Sequence, residues 1–158
     1  EVNLRLAQPE SPFNFYDPQR PIYTHQRSLP GSVIDGARLT NVMLSEGCII
    51  HKSEISNCVV GVRSIIQEGV KLKNTIMMGT DYYDTPATPP PAGIPYGIGK
   101  DSQIDGAILD KNVRIGEGVV IKPFPRGTDI EEGTYTVQDG IVVIPKGAIL
   151  FSGTYIGP

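Results

Sequence analysis

Several residue types are scarce in this 158-residue sequence, and each scarcity removes a class of structure or function. There is no tryptophan, and only two cysteines occur, Cys48 and Cys58. Two cysteines cannot build a disulfide framework, and they supply too few ligands for a structural zinc site. We therefore expect a protein of a reducing compartment, which would be the cytoplasm or, in a plant, the plastid.

Long apolar runs and an excess of positive charge are missing as well. No stretch approaches the roughly 18 apolar residues that a membrane-spanning helix needs, and the first residues do not resemble a signal peptide. The net charge is -3 and the pI is about 5.3, which argues against nucleic acid or an anionic membrane as the main partner. The sequence predicts a soluble protein with no nucleic-acid partner and no membrane partner.

Histidine is equally scarce, since only His25 and His51 are present. Acyltransferases with a histidine base need it beside a cofactor groove, and histidine-bound metal centres need three ligands per site. There is also no glycine-rich phosphate loop between a strand and a helix, and no nucleophile elbow. We interpret both histidines as surface or hydrogen-bonded residues and expect this chain to hold no catalytic residue, no metal and no cofactor.

What the sequence does contain is glycine, proline and a short repeat. Eighteen glycines and fourteen prolines, without a 3.6-residue apolar period, indicate an all-β chain with many turns. A large aliphatic residue recurs at steps of five or six within three blocks, at Ile34, Leu39, Leu44, Ile50, Ile55, Val60, Ile66, Leu72 and Met77, at Ile104, Leu109, Ile115 and Ile121, and at Ile144, Leu150 and Ile156.

A small residue stands two positions before each of these aliphatic residues. On a strand, residues i and i-2 face the same side, so both would point into one interior. Examples are Ser32 before Ile34 and Ser64 before Ile66. This pattern is the hexapeptide repeat of a parallel β-helix, with three repeats forming a coil of about 16 or 17 residues.

The repeat predicts which residues stack from coil to coil. Successive coils should lie about 4.8 Å apart, as neighbouring strands do. Cys48 and Cys58 fall at small interior positions, so we interpret both as structural thiols. The predicted columns include Leu39, Ile55 and Leu72 in one and Ile34, Ile50 and Ile66 in another.

The same pattern predicts the organisation of the chain. Residues 1–31 have no repeat and are interpreted as a linker, and residues 32–158 as the β-helix domain. Proline-rich or irregular insertions are expected at about 78–101 and 122–140. Outward-facing apolar stripes on two walls predict an interface with a partner domain or sister subunit, although the chain itself could cover one of them.

Basic residues cluster in the predicted corners and loops. Lys111 and Lys146 follow corners that lie one coil apart if the last coil stacks directly, and Arg27 precedes the first coil. Lysine and arginine groups that converge from such loops can bind phosphate. The cations in corners and loops are Arg20, Arg27, Lys111, Arg114, Lys122, Arg126 and Lys146.

Four segments together resemble the C-terminal portion of the ADP-glucose pyrophosphorylases, which are glucose-1-phosphate adenylyltransferases. The segments follow one another in order and cover nearly the whole chain: "FYDPQRPIYTHQRSLPGS", "VVGVRSIIQEGVKLKNTIMMGTDYYD", "GIPYGIGKDSQIDGAILDKNVRIGEG" and "DGIVVIPKGAIL". The resemblance implies that the β-helix is left-handed, packs on a nucleotidyltransferase domain and helps to form a homotetramer. It also implies that residues 1–31 are a linker from an absent catalytic domain, which uses Mg²⁺ to make ADP-glucose for glycogen or starch synthesis.

The resemblance further implies an allosteric site for a phosphorylated metabolite. The basic residues of that site correspond to Arg27, Lys111 and Lys146, with Arg20 and Arg114 as candidate additional contacts. Departures from the family pattern, such as "LPG" and "KPFPRGTDIEEG", leave the effector open between 3-phosphoglycerate with phosphate and fructose bisphosphate. Two alternatives stay open: a trimeric hexapeptide acyltransferase, and a structural β-helix without an effector site.

Overall fold

The tube predicted from the repeat is present in the computed structural model, which describes residues 2–158. Inward-facing residues at alternate strand positions form one continuous core, in which Ile50, Ile66 and Ile115 are almost fully buried. The strands pair in parallel from one coil to the next and form three walls around this core. The all-β prediction is confirmed, and within residues 2–158 helical structure is limited to Val2–Arg5 and the short 3-10 turn Pro91–Gly93.

The first wall is a six-stranded parallel sheet. Its strands are Val33–Asp35, Ile49–His51, Ile65–Ile66, Gly97–Ile98, Arg114–Ile115 and Ile149–Leu150. The second and third walls form one sheet, because the strands Arg38–Leu44 and Glu54–Val60 run around the corner between them. The second wall continues with Lys71–Lys73, Gln103–Asp105, Val120–Ile121 and Tyr155–Ile156, and the third with Ile76–Met77, Ala107–Leu109 and Ile141–Ile144.

The stacking register agrees with the repeat. Leu39 pairs with Ile55, which pairs with Leu72, and the column of Ile34, Ile50 and Ile66 is also formed. Ile34 departs from the expectation of a buried corner, since 46% of it is exposed. Its strand has a neighbour on one side only, Ile49–His51, so no second coil covers it within the described residues.

The two cysteines lie inside the tube, as the sequence predicts. Both are free and fully buried. Burial raises the pKa of the Cys58 thiol to about 11 and also raises the pKa of Cys48. Both thiols therefore stay protonated at neutral pH, and they donate hydrogen bonds to backbone carbonyls instead of acting as nucleophiles.

The first insertion ends earlier than the sequence predicts. The first wall resumes at Gly97–Ile98, inside the predicted 78–101 insertion, and Ile98 is buried between Ile66 and Ile115. The repeat does not predict the strand Gly97–Ile98, because the residue two before Ile98 is Tyr96, which is not small. Gly97 has a φ of +99°, and a Cβ at this position would collide with the backbone carbonyl of Ile65, so the close approach of the two strands requires glycine.

The second insertion also contains regular structure. Within residues 122–140, Ile130–Glu131 and Thr136–Gln138 form two antiparallel strands that extend the third wall beyond Ile141–Ile144. Val137 is buried and joins the core. The strand Ile141–Ile144 pairs directly with Ala107–Leu109, so the last coil stacks on the coil that carries Lys111.

The apolar stripes are aligned as expected. Met43, Val59, Ile76 and Ile108 are in register on the outside of the third wall, and each is half-buried. Residues 6–16 form a groove with Met43, and the helix Val2–Arg5 contacts the strand Glu54–Val60, so the chain itself covers one end of this stripe. Residues 2–158 include no helix with the length and apolarity that a membrane crossing requires.

Candidate anion site

The charged residues gather where the third wall turns into the first wall. Successive turns stack there through backbone hydrogen bonds, with the amide of Asn112 donating to the carbonyl of Gly79 at 3.0 Å and that of Gly147 to Lys111 at 2.9 Å. We call this edge the charged corner, and it comprises residues 45–47, 61–63, 78–84, 110–112 and 145–147. The repeat thus places side chains that are distant in sequence on one line.

Lys111 and Lys146 meet at the charged corner, as the sequence predicts. Their ammonium groups lie 2.7 Å and 3.5 Å from the two carboxylate oxygens of Asp81. The Lys111 side chain is 35% exposed and that of Lys146 is 60% exposed, so solvent reaches both cations. The two lysines therefore bracket one anionic group at the surface.

Asp81 is held by more than the two lysines. The side-chain amide of Asn112 donates to its carboxylate at 3.0 Å, and the backbone amide of Asp81 donates to the Asn112 side-chain oxygen at 2.8 Å. Hydrogen bonds from Lys111 and Asn112, with a smaller contribution from the charge of both lysines, lower the pKa of Asp81 to about 2. The carboxylate is therefore ionised at neutral pH.

Arg114 is placed differently from the two lysines. Its guanidinium makes a two-pronged contact with Asp84, at 2.8 and 3.1 Å, and donates to the carbonyl of Ile94 at 2.9 Å. It also lies 3.4 Å from the centre of the Tyr96 ring, and its side chain is only 8% exposed. The sequence predicts Arg114 as a candidate anion contact, whereas the structure uses it to anchor the first insertion.

Burial is the largest single influence on Arg114 and would lower its pKa, but the hydrogen bonds and charges of Asp84 and Tyr96 together outweigh burial and raise the pKa. Burial would likewise raise the pKa of Asp84, yet hydrogen bonds from Arg114 and from the Tyr96 amide lower it. Both groups are therefore charged in the folded protein. The pair is an internal ion pair that fixes the start of the insertion to the first wall.

A tyrosine and an arginine that the sequence did not single out complete the charged corner. The Tyr83 hydroxyl donates to the carbonyl of Gly47 at 2.7 Å. The guanidinium of Arg63 lies 6.0 Å from the centre of the Tyr83 ring and donates to the carbonyl of Thr80 at 3.4 Å. These contacts hold residues 80–83 against the tube and add a third cation to the edge.

The predicted linker arginines are exposed. Arg20 is paired only loosely with Asp17, at 4.0 Å. Within residues 2–158, the side chain of Arg27 has no ion pair and no hydrogen bond, but the chain reaches the charged corner three residues later, where the Gly47 amide donates to the Pro30 carbonyl at 3.0 Å. The structure thus brings Lys111 and Lys146 together and leaves Arg27 free on the neighbouring segment.

One sequence feature could have revealed the carboxylate partners. Asp81 and Asp84 are three residues apart, as are Lys111 and Arg114, and each acid pairs with the base 30 residues later. Both segments begin at the charged corner, directly after the paired strands Ile76–Met77 and Ala107–Leu109 of the third wall. The match is visible only once the coil register is known.

The chemistry open to this site is binding. His51 faces Asp35 at 3.8 Å on the first wall and His25 is exposed on the linker, so neither histidine belongs to the charged corner. Residues 2–158 contain no group of three or more His, Cys, Asp or Glu side chains placed to hold a metal. The charged corner offers two lysines, an amide and backbone groups, which can hold an oxyanion.

Two comparisons with known proteins agree with this architecture. Residues 27–155 match the family model described as the GLGC left-handed parallel beta-helix domain. The chain is also 43% identical over 162 residues to a protein of Triticum aestivum named glucose-1-phosphate adenylyltransferase small subunit, chloroplastic/amyloplastic. That alignment covers 98% of this chain but 34% of the wheat protein, so the chain spans about a third of this relative.

The family match also settles the hand of the coil, which the repeat spacing leaves open. The predicted left-handed parallel β-helix is thereby confirmed. The chain belongs to the glucose-1-phosphate adenylyltransferase (ADP-glucose pyrophosphorylase) family, in which it forms the left-handed β-helix domain.

Proposed function

We propose that this chain is the regulatory and oligomerising domain of an enzyme that makes ADP-glucose and diphosphate from ATP and glucose 1-phosphate. The name of the wheat relative and the share of it that the chain spans support this assignment. The Mg²⁺ that such a reaction uses would be held by a separate catalytic domain. The domain alone would be inactive. The full enzyme would serve glycogen or starch synthesis in the cytoplasm or, in a plant, the plastid.

The observation that carries the regulatory proposal is the convergence of Lys111 and Lys146 on one carboxylate. Two ammonium groups that approach the same pair of oxygens are spaced to hold a phosphate or carboxylate group of a ligand. Arg27 lies on the segment that leads into the same corner and would add a fourth cation, after Lys111, Lys146 and Arg63. The ligand class is a phosphorylated metabolite, with 3-phosphoglycerate, phosphate and fructose bisphosphate as candidates.

The apolar stripes support the oligomerising part of the proposal. Residues 6–16 and the helix Val2–Arg5 cover one end of the stripe on the third wall. The first wall carries a second stripe, formed by Val33, Ile49 and Ile65, in register. Apolar surfaces of this kind are typical of interfaces. We assign them to the enzyme's own catalytic domain and to sister subunits of a tetramer.

Replacing Lys111 and Lys146 by alanine in the full-length enzyme is expected to raise the effector concentration at half-maximal response. Each lost charge-assisted hydrogen bond should weaken binding by about 1 to 3 kcal/mol, or roughly 5- to 150-fold. Activation and inhibition curves with 3-phosphoglycerate, fructose bisphosphate and phosphate measure the shift and identify the effector. The rate without effector should change little, because neither lysine belongs to a catalytic site.

Lys122→Ala is the matched control, since Lys122 lies at another corner with its ammonium group 5.7 Å from the centre of the Tyr155 ring. It removes the same charge and should leave the effector curves in place. If both lysine variants respond like the parent enzyme, the site assignment is wrong and the domain is a structural β-helix. Binding of acetyl-coenzyme A by the parent chain would instead favour an acyltransferase.

A further inference from the structure

Asp81 already fills the position between the two lysines. Its carboxylate accepts from Lys111 at 2.7 Å and faces Lys146 at 3.5 Å, with Asn112 as a third donor at 3.0 Å. These are the groups that would have to turn toward a bound anion. A ligand and Asp81 therefore compete for the same donors.

The position of Asp81 in the chain makes such a competition workable. It lies just beyond the third wall, at the start of the first insertion, and 29% of its side chain is exposed. The following residues are fixed independently, Tyr83 by its bond to Gly47 and Asp84 by its pair with Arg114. The Asp81 side chain can thus leave the lysines while the rest of the insertion stays attached to the tube.

We propose that Asp81 is a built-in competitor of the phosphate group, so that anion binding at Lys111 and Lys146 requires exchange of the internal carboxylate for the external one. The inference rests on the proposed function, because it takes these lysines as the anion site. A tetrahedral dianion offers more charge and more acceptor oxygens than one carboxylate. The contact of Asp81 with the two lysines then raises the effector concentration that is needed for binding. It also prevents ligands with a single carboxylate from binding at the site.

Replacement of the Asp81 carboxylate by a bound anion would also change the contacts of Asp81. When Asp81 is displaced, its side-chain contacts with Lys111, Lys146 and Asn112 are lost together. The Asp81 side chain then loses its anchor at the charged corner, while the hydrogen bonds of Gly79 and Thr80 to the tube and the contacts of Tyr83 and Asp84 remain. Anion binding is thereby coupled to the conformation of the Asp81 side chain on the rim of the tube.

The test is a titration of the ¹⁵N-labelled full chain with inorganic phosphate, followed by NMR. The Asp81→Asn variant keeps the shape of the side chain and an oxygen that can accept from Asn112, but it removes the charge that holds the lysines. We expect its dissociation constant for phosphate to be about tenfold lower than that of the parent, because the lysines no longer have to be released first. The parent amide signals of residues 79–82 should shift on phosphate binding.

Asp110→Asn is the matched control, because Asp110 is next to Lys111 but accepts from the backbone amide of that residue, at 2.6 Å. It removes an equal charge from the same corner without freeing an ammonium group, and it should tighten binding by about threefold or less. An Asp81→Asn variant that gains no more than Asp110→Asn, or that binds phosphate more weakly than the parent, overturns the competitor proposal. The dispersion of the spectra verifies that each variant is folded.

A second pair of variants separates this proposal from the proposed function. Lys111→Gln and Lys146→Gln should each weaken phosphate binding in the same titration. If phosphate binds the lysine variants as it binds the parent, the anion site itself is misplaced and the proposed function fails. If the lysine variants weaken binding while Asp81→Asn does not strengthen it, only the competitor proposal fails.

Discussion

Ile104→Asp is expected to abolish the folded tube, whereas Gln103→Asp on the same strand should change stability by no more than about 0.5 kcal/mol. Ile104 is 2% exposed and stacks between Leu72 and Ile121 in the core. A carboxylate there would be buried without a partner, which costs more than about 4 kcal/mol and is comparable to the total stability of a domain. Far-ultraviolet circular dichroism and urea unfolding measure the difference.

Gln103 is a strict control because it is adjacent in sequence and points outward. Its neighbour on the preceding coil is Lys71, so an aspartate at this position would face a cation in solvent. A soluble Ile104→Asp protein with the parent's unfolding midpoint would contradict the assignment of inward and outward positions. Equal loss of structure in both variants would contradict it as well.

Asp84→Ala is expected to destabilise the protein by about 3 kcal/mol, because it leaves the buried Arg114 guanidinium without its carboxylate. Arg114 would retain its hydrogen bond to the Ile94 carbonyl and its contact with the Tyr96 ring, which do not neutralise its charge. The first insertion should become the most sensitive part of the chain. Urea unfolding measures the loss of stability, and limited proteolysis within residues 85–93 measures the release of the insertion.

A double-mutant cycle with Arg114→Met isolates the ion pair from other effects of each change. The double variant, with Asp84→Ala and Arg114→Met, should be clearly more stable than the sum of the two single losses predicts, since it leaves no unpaired charge. Additive losses would mean that the contact between Asp84 and Arg114 does not stabilise the fold.

The sequence was sufficient to predict the tube because its repeat is a local pattern. Leu39, Ile55 and Leu72 could be placed in one column by counting residues, since a large side chain at each corner fills the interior and a small one is needed two positions earlier. The same counting placed Cys48 and Cys58 inside. It also brought Lys111 and Lys146 to one edge, because every coil returns to the same corner.

The features that the sequence did not predict depend on close contacts between coils or on the path of the irregular first insertion. Ile98 fills a corner position, but Tyr96 breaks the pattern before it, and the wall is recovered through the close strand approach that Gly97 allows. Asp81 and Asp84 pair with bases 30 residues away. Neither pairing can be predicted unless the path of the insertion between the acid and the base is known. The sequence therefore indicated Arg114 as a cation that could contact an anion.

A crystal structure of the protein soaked with selenate would test whether Lys111 and Lys146 bind an anion in place of Asp81. Selenate is a tetrahedral dianion, and its selenium can be located by anomalous scattering. We expect a selenium peak at the charged corner, with oxygen atoms within hydrogen-bond distance of the ammonium groups of Lys111 and Lys146 and with the Asp81 carboxylate turned away from them. Selenate bound elsewhere on the chain, with both lysines still on Asp81, would contradict this expectation.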